Sequence, residues 1–196
     1  MRNLSRSGSA RVHLGRLPDG RQVVVKQVLE MEAWPRLERE AAFLEAARKL
    51  AWTPGRAAGI PELVWAEGAR LVRSYVPGQS LARLRRQGPL RWRQVCAWLC
   101  ALEGLLARLH QLGCWHGDVS PENLVITAAN EVVLIDCGAP GWGTPPYSSA
   151  DLQGPDADLR ALELLKEEFL GSTPCQNCQQ SLPRLVGRDS ELHTLQ

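Results

Sequence analysis

The chain has 196 residues, of which 44% are hydrophobic and 22% charged, and its formal net charge is +2 at pH 7. This composition is ordinary for a folded globular protein and argues against a disordered chain. The small net charge gives no support to nucleic-acid binding. No apolar run long enough to span a membrane and no secretory leader after Met1 are found. Four of the six cysteines lie in apolar helical or strand patterns, where a reduced cysteine is a small buried side chain, so we expect a cytoplasmic, reducing location.

The first part of the chain predicts strands around one helix. Residues 11–26 predict two strands joined by a Leu-Pro-Asp-Gly turn, and residues 70–76 predict a further strand. Residues 35–50 carry apolar side chains at helical spacing, with Pro35 placed to open the helix. We therefore expect a small β-rich unit here.

The rest of the chain is predicted to be mainly helical. An apolar stripe from Val95 to Leu109 predicts a helix that ends near Gly113. Asp158 is expected to open another helix, which stops at Gly171. A local cluster of arginines is interpreted as a solvated face, with a phosphate patch as the alternative; it comprises Arg83, Arg85, Arg86, Arg91 and Arg93.

Residues 172–196 show weak periodicity and are expected to form a short tail. Cys175 and Cys178 lie in this tail as a single C-x-x-C pair, which supplies two of the four ligands that a structural zinc requires. We interpret the pair as incidental, with a zinc or redox role as the alternative.

The most informative stretch is His-Gly-Asp-Val-Ser-Pro-Glu-Asn at 116–123, followed by Asp-Cys-Gly at 136–138. Two β-branched runs between them predict a hairpin, which would bring Asp118, Asn123 and Asp136 to one end of a small sheet. Carboxylate and amide oxygens suit Mg²⁺, and a separate carboxylate can orient a hydroxyl for phosphoryl transfer. The segment therefore predicts a phosphotransfer site.

This stretch resembles the catalytic core of protein kinases and their small-molecule kinase relatives, whose pattern is H-x-D-x-x-x-x-N followed by D-x-G. The resemblance extends over roughly residues 4–171. It implies an α+β, two-lobed protein kinase-like fold, with a small β-rich N-terminal lobe over about 1–76 and a truncated, mainly helical C-terminal lobe over about 77–171. It also implies ATP and Mg²⁺ as cofactors and a hydroxyl on a protein or a small molecule as the phosphate acceptor, with a Ser/Thr protein kinase as the first choice.

The resemblance also assigns roles to individual residues. Lys26 would contact the α- and β-phosphates of ATP, with Glu40 as its partner and Glu38 as the competing choice. Asp118 would orient the acceptor hydroxyl. The metal ligands implied are Asn123 and Asp136, and the further nucleotide-binding residues are Gly8, Val12, Ser74 and Val76.

Two further residues have supporting roles in the resemblance. His116 would hold the geometry of the catalytic loop, and Asp158 would tie down the backbone of that loop.

The chain departs from the family pattern at several positions. Residues 5–12, which align with the phosphate-covering loop, lack its three usual glycines. Arg73 stands where an uncharged side chain usually lines the nucleotide pocket, and a buried guanidinium must find a partner or reach water. Gly117 and Ser120 replace an arginine and a lysine of Ser/Thr protein kinases. Two alternatives therefore stay open: a pseudokinase scaffold, and a small-molecule or atypical kinase acting in a complex, in which a protein partner completes the small C-terminal lobe.

Overall fold

Two sheets and four α-helices make up the part of the chain that the computed structural model describes, which is residues 2–6, 10–138, 143–148 and 151–171. In chain order the strands are β1 (Arg2–Arg6), β2 (Ala10–Arg16), β3 (Gln22–Val28), β4 (Ala58–Gly59), β5 (Leu63–Glu67), β6 (Arg70–Ser74), β7 (Gln79–Ser80), β8 (Leu124–Ile126) and β9 (Val132–Leu134). The helices are α1 (Trp34–Ala46), α2 (Leu81–Gln87), α3 (Trp92–Gln111) and α4 (Pro155–Leu170).

The larger sheet contains five strands in the order β1-β2-β3-β6-β5, and every neighbouring pair is antiparallel. The β2–β3 connection is a tight turn in which Gly20 adopts a φ of 90°, a conformation that glycine reaches without steric cost. In this register Lys26 lies opposite Val12 on β2 and opposite Leu71 on β6. The central strand of the sheet therefore carries Lys26.

The smaller sheet has four short strands in the order β4-β9-β8-β7, with β4 parallel to β9. Strands β8 and β9 form the hairpin expected from the two β-branched runs, and each of their residues is buried. The residues of this hairpin lack the polar alternation of a half-exposed strand because both of its faces are covered. The segments that contain Asp118 and Asp136 precede β8 and follow β9, so both lie at the open end of this hairpin.

Among the described residues, the larger of two apolar clusters connects most of the elements. It includes Leu37, Phe43 and Leu44 of α1 and also side chains of α3, α4, β8 and β9. Helix α3 contributes eight buried residues along one stripe: Val95, Cys96, Trp98, Leu99, Leu102, Leu105, Leu106 and Leu109. Burial of such a stripe, and not intrinsic propensity, stabilises most helices of this kind in proteins.

The α+β class is confirmed, while some element boundaries differ from those expected. Helix α1 ends at Ala46, and residues 48–50 form a separate 3₁₀ turn instead of continuing the predicted 35–50 helix. Helix α4 begins at Pro155, so Asp158 lies in its first turn. Helix α2 was not predicted, although Ser80 caps it by accepting a hydrogen bond from the backbone N–H of Arg83.

Other expectations at the ends of the elements agree with the structure. Helix α3 is followed by Gly113 with a φ of 69°, and α4 stops at Gly171 with a φ of 64°. All residues of the arginine cluster are exposed, which agrees equally with a solvated face and with a phosphate patch. The tail at 172–196, with Cys175 and Cys178, lies outside the described residues. Among the described helices, none combines the length and apolarity that crossing a membrane demands.

Candidate active site

Lys26 and Glu40 form an ion pair between the central strand of the larger sheet and helix α1. The Lys26 Nζ lies 2.8 Å from Oε1 and 2.6 Å from Oε2 of Glu40. Glu40 is buried on the same face of α1 as Leu37 and Leu44, where a carboxylate requires a paired charge. Glu38, the competing choice, is exposed and accepts a hydrogen bond from Trp34 Nε1 at 2.5 Å. The structure thus brings Glu40, and not Glu38, to Lys26.

Asp136 contacts two cations through one oxygen. Its Oδ1 lies 2.8 Å from Lys26 Nζ and 2.8 Å from Arg73 Nη2. Arg73 also approaches Glu40, with its Nε 3.6 Å from Oε1. Arg73 was expected to need a partner or water at this position, and it pairs with the carboxylates of Asp136 and Glu40. The result is a cluster of two cations and two anions between β3, β6, α1 and the turn after β9, in which Arg73, Glu40 and Lys26 are largely buried and the Asp136 side chain is 40% exposed.

The charges of this cluster affect the protonation of two of its members. Burial opposes the charged form of Asp136, but Lys26 and Arg73 outweigh burial and hold the pKa of Asp136 well below its usual range. Burial likewise disfavours the charged form of Lys26, yet Glu40 and Asp136 raise the pKa of Lys26 above its ordinary value. Lys26 and Asp136 are therefore both charged at neutral pH.

Asp118 lies at the same end of the hairpin as Asp136, and its carboxylate accepts three hydrogen bonds. Its Oδ1 accepts from the backbone N–H of Thr144 at 2.7 Å. Its Oδ2 accepts from Asn123 Nδ2 at 2.7 Å and from Thr144 Oγ1 at 3.2 Å. Asn123 Nδ2 also donates to the backbone carbonyl of Asp118 at 2.9 Å. Asp118 and Asn123 are therefore brought together, and the hydroxyl of Thr144 donates a hydrogen bond to the carboxylate of Asp118.

Hydrogen bonds of His116 and Asp158 fix the conformation of the loop that carries Asp118. Asp158 is fully buried, and its two oxygens accept from the backbone N–H groups of His116 at 2.8 Å and Gly117 at 2.7 Å. His116 Nδ1 accepts from the backbone N–H of Asp118 at 3.3 Å, so the proton of the neutral ring resides on Nε2, which donates to the Ile135 carbonyl at 3.1 Å. Burial lowers the pKa of His116. The expected supporting contacts of both residues are thus present.

Two glycines let the Asp118 loop and the Asp136 turn approach each other closely. A Cβ on Gly138 would lie 2.7 Å from both Asp118 Cβ and the Gly117 carbonyl oxygen, which is far inside van der Waals contact. Gly117 has a φ of 78°, in the left-handed region that favours glycine. The glycine of the D-x-G pattern is therefore required by space, and Gly117 is required by backbone conformation.

Arg39 occupies the side of Gly117 where a longer side chain would point. Its Nε donates a hydrogen bond to the Gly138 carbonyl, and its guanidinium lies 5.5 Å from the centre of the Trp115 ring. A Cβ on Gly117 would come within 3.2 Å of Arg39 Nη2. Helix α1 therefore contacts the Asp136 turn and its partner lysine through two successive residues, Arg39 and Glu40.

The residues assigned to nucleotide binding lie on β2, at the end of β6 and in the segment that follows β6. Val12 is half-buried on β2 opposite Lys26. Ser74 ends β6, where its backbone N–H donates to the Glu62 carbonyl and its hydroxyl accepts from the Glu62 N–H, both at 2.9 Å. Val76 is buried with Val125 and Val133 of the hairpin. Gly8 lies outside the described residues.

Sequence reasoning missed three contacts at this site. The contact of Arg73 with Asp136 joins residues 63 positions apart, and no local sequence pattern predicts it. Arg39 was overlooked because an arginine on an exposed helix edge is usually solvated. The contact of Thr144 with Asp118 was not foreseen either. The Gly143-Thr144 pair was the sequence signal that could have predicted this contact.

The donor set partly suits a divalent cation. The Asp136 carboxylate and the Asn123 amide supply oxygens of the hard type that Mg²⁺ prefers. Within the described residues, both cation contacts of Asp136 fall on Oδ1, so Oδ2 is the oxygen open to a further ligand. No group of three His, Cys, Asp or Glu side chains in this same part of the chain has a metal-binding arrangement.

Comparison with known proteins finds relatives named as kinases. The chain is 33% identical over 141 residues to the probable serine/threonine-protein kinase PkwA of Thermomonospora curvata, covering 69% of this chain and 18% of that protein. It is 37% identical over 93 residues to the serine/threonine-protein kinase PknK of Mycobacterium tuberculosis, covering 43% and 8%. PknG of Mycobacterium leprae, a serine/threonine-protein kinase, is 30% identical over 93 residues, covering 42% and 12%.

These relatives support a kinase-like relationship at the level of the superfamily. The chain spans less than a fifth of the length of each of them. No family model matches it.

Proposed function

We propose that this protein is an ATP- and Mg²⁺-dependent phosphotransferase whose acceptor is a Ser or Thr hydroxyl of a protein. The observation that carries the proposal is the contact of Lys26 with both Glu40 and Asp136, next to a hairpin that joins Asp118 to Asn123. We further propose the two-lobed arrangement, with a β-rich lobe over about 1–76 and a helical lobe over about 77–171, and a cytoplasmic location.

Lys26 supports the proposal as the phosphate-contacting residue because its ammonium is fixed on two carboxylates and retains its charge. Catalysis of phosphoryl transfer consists mainly of positioning and charge stabilisation. A lysine oriented by a buried glutamate is pre-organised for a polyphosphate, since little side-chain entropy is lost on binding. Glu40 would act through Lys26 and is in this sense a positioning residue.

Asp118 supports the proposal as the residue that orients the acceptor. Thr144 Oγ1 already donates a hydrogen bond to its carboxylate at 3.2 Å, so this carboxylate accepts a hydroxyl in the folded protein. Its position is fixed by Asn123 and by the His116 and Asp158 contacts beneath the loop. Such an arrangement would hold an incoming hydroxyl without help from bulk water.

Asn123 and Asp136 would hold the Mg²⁺ that accompanies the nucleotide, which when bound neutralises phosphate charge. In the absence of the metal, Asn123 positions Asp118 through its amide nitrogen, and Asp136 positions Lys26.

The test is transfer of labelled phosphate from ATP to a panel of generic protein substrates and to the protein itself. We expect Asp118→Asn to lower the rate by about 10²- to 10⁴-fold and Asp136→Asn to lower it similarly. Asp156→Asn is the matched control, because Asp156 is an exposed aspartate in the first turn of α4. Equal rates for the wild type and the two site variants would reject the proposal.

A second candidate function is a nucleotide-binding or scaffolding module without transfer activity. The pairing of Arg73 with Asp136 favours this candidate, because it occupies one oxygen of a proposed metal ligand. The thermal shift with ATP, measured with and without Mg²⁺, separates the candidates. A ligand at 100 times its Kd stabilises a fold by about 2.7 kcal/mol. A shift without phosphate transfer would favour the module.

A further inference from the structure

Arg73 is a buried arginine at the centre of the proposed site. Its side chain is 5% exposed, and its Nη2 lies 2.8 Å from the Oδ1 of Asp136. The Nζ of Lys26 lies at the same distance from the same oxygen. One carboxylate oxygen of a proposed metal ligand therefore accepts from two cations at once.

The cluster is balanced without any metal. Lys26 and Arg73 supply two positive charges, and Glu40 and Asp136 supply two negative charges. The nitrogen-to-oxygen distances between them are 2.6–3.6 Å. A divalent cation on Asp136 would add two positive charges beside a guanidinium and an ammonium. Like charges repel at such short distances, so either the metal binds weakly or one cation moves away.

Arg73 cannot relieve this repulsion by losing its proton. The guanidinium stays charged in proteins at any ordinary pH, whereas a lysine can be neutralised. The Arg73 side chain is also confined, because only 5% of it is exposed and its backbone is paired with Val24 of β3. Its charge therefore remains close to Asp136 unless the side chain leaves the cluster.

We propose that the Arg73 guanidinium competes with a divalent cation for the Asp136 carboxylate and thereby sets the metal affinity of this site. The inference rests on the metal-binding role of Asp136 in the proposed function. A purely structural arginine, which only ties β6 to the Asp136 turn, would change the stability of the fold when replaced and would leave metal affinity unchanged.

The test is a titration of the full chain with Mn²⁺ in the absence of nucleotide. The concentration of free Mn²⁺ is measured from its electron paramagnetic resonance signal. We expect Arg73→Met to bind Mn²⁺ about tenfold tighter than the wild type, or tighter still. An adjacent arginine changes the proton affinity of an aspartate by about 10- to 1000-fold, and a metal ion responds to the same charge. Arg73→Gln, which keeps amide donors for the two carboxylates, should give a gain in the same direction and serves where Arg73→Met does not fold.

Two controls make the assignment specific. Arg70→Met removes the same charge from the exposed first residue of β6 and should bind Mn²⁺ as the wild type does. The double variant Arg73→Met/Asp136→Asn should lose the gain, because the carboxylate that was released is gone. A gain that survives in the double variant, or equal affinity in the wild type, Arg73→Met and Arg73→Gln, would overturn the proposal.

These outcomes are independent of the phosphate-transfer assay. A protein that transfers phosphate while Arg73→Met gains no Mn²⁺ affinity refutes the role of Arg73 alone. A protein that gains Mn²⁺ affinity in Arg73→Met and transfers no phosphate supports the role of Arg73 and refutes the transferase.

Discussion

Asp158 accepts a hydrogen bond of 2.8 Å from the backbone N–H of His116, a residue 42 positions away in the sequence. Its second oxygen accepts from the next backbone N–H, that of Gly117. Two adjacent N–H groups without a partner would be costly to bury, and one carboxylate from the first turn of α4 satisfies both. The conformation of the Asp118 loop therefore depends on where α4 begins.

Replacement of Asp158 by asparagine should destabilise the fold by about 2–4 kcal/mol, because an amide NH₂ would face a backbone N–H and a buried charge-assisted bond would be lost. Urea unfolding of Asp158→Asn against the wild type measures this difference. Asp156→Asn is the matched control: Asp156 is exposed in the same helical turn, and only a helix-dipole contribution of about 0.3–1 kcal/mol is at stake there. Equal losses in both variants would contradict the loop-holding role.

Stability should fall as the pH drops below about 6.5, the ordinary pKa of histidine, because burial lowers the pKa of His116. The unfolded chain then binds a proton that the folded ring does not, so stability rises with pH between the folded and the unfolded pKa and is level above it. The slope of this contribution is at most about 1.4 kcal/mol per pH unit. Urea unfolding of the wild type and of His116→Gln between pH 5 and 7.5 measures it, and an unchanged slope in His116→Gln would contradict the assignment.

A methyl group at position 138 should disturb the active site directly. Its Cβ would lie 2.7 Å from both Asp118 Cβ and the Gly117 carbonyl oxygen, so Gly138→Ala should cost about 1–3 kcal/mol and lower phosphate transfer. Gly104→Ala is the control, because Gly104 lies within α3 and a Cβ added there would meet no neighbouring atom within 4 Å. That substitution should stabilise the fold by about 0.5–1 kcal/mol. The two changes in unfolding free energy should thus have opposite signs.

Lys26 and Glu40 should be energetically coupled. Unfolding free energies of Lys26→Met, Glu40→Gln and the double variant form a cycle, in which we expect a coupling energy of about 1–3 kcal/mol. Each single variant leaves an unbalanced charge in this largely buried cluster, whereas the double variant removes one charge of each sign. Strictly additive effects would show that the short contact contributes nothing to the fold.

Local patterns predicted the parts of the site that are close in sequence. The β8–β9 hairpin follows from two β-branched runs, and it determines how near Asp118, Asn123 and Asp136 can be. The contact of Arg73 with Asp136 depends instead on how β6 packs against a distant turn, which no spacing in the sequence encodes. The early end of α1 at Ala46 was missed for the opposite reason: a favourable apolar pattern continued to Leu50, and a 3₁₀ turn took over.

The paired contacts of α1 restrict one particular motion. Successive residues on a helix point about 100° apart around its axis, and here Arg39 binds the Gly138 carbonyl while Glu40 binds Lys26. Rolling the helix in either direction would pull at least one of these bonds apart. We therefore expect α1 and the Asp-Cys-Gly turn to move together. A ligand that shifts the turn would then also displace the start of α1, beside the exposed Met31.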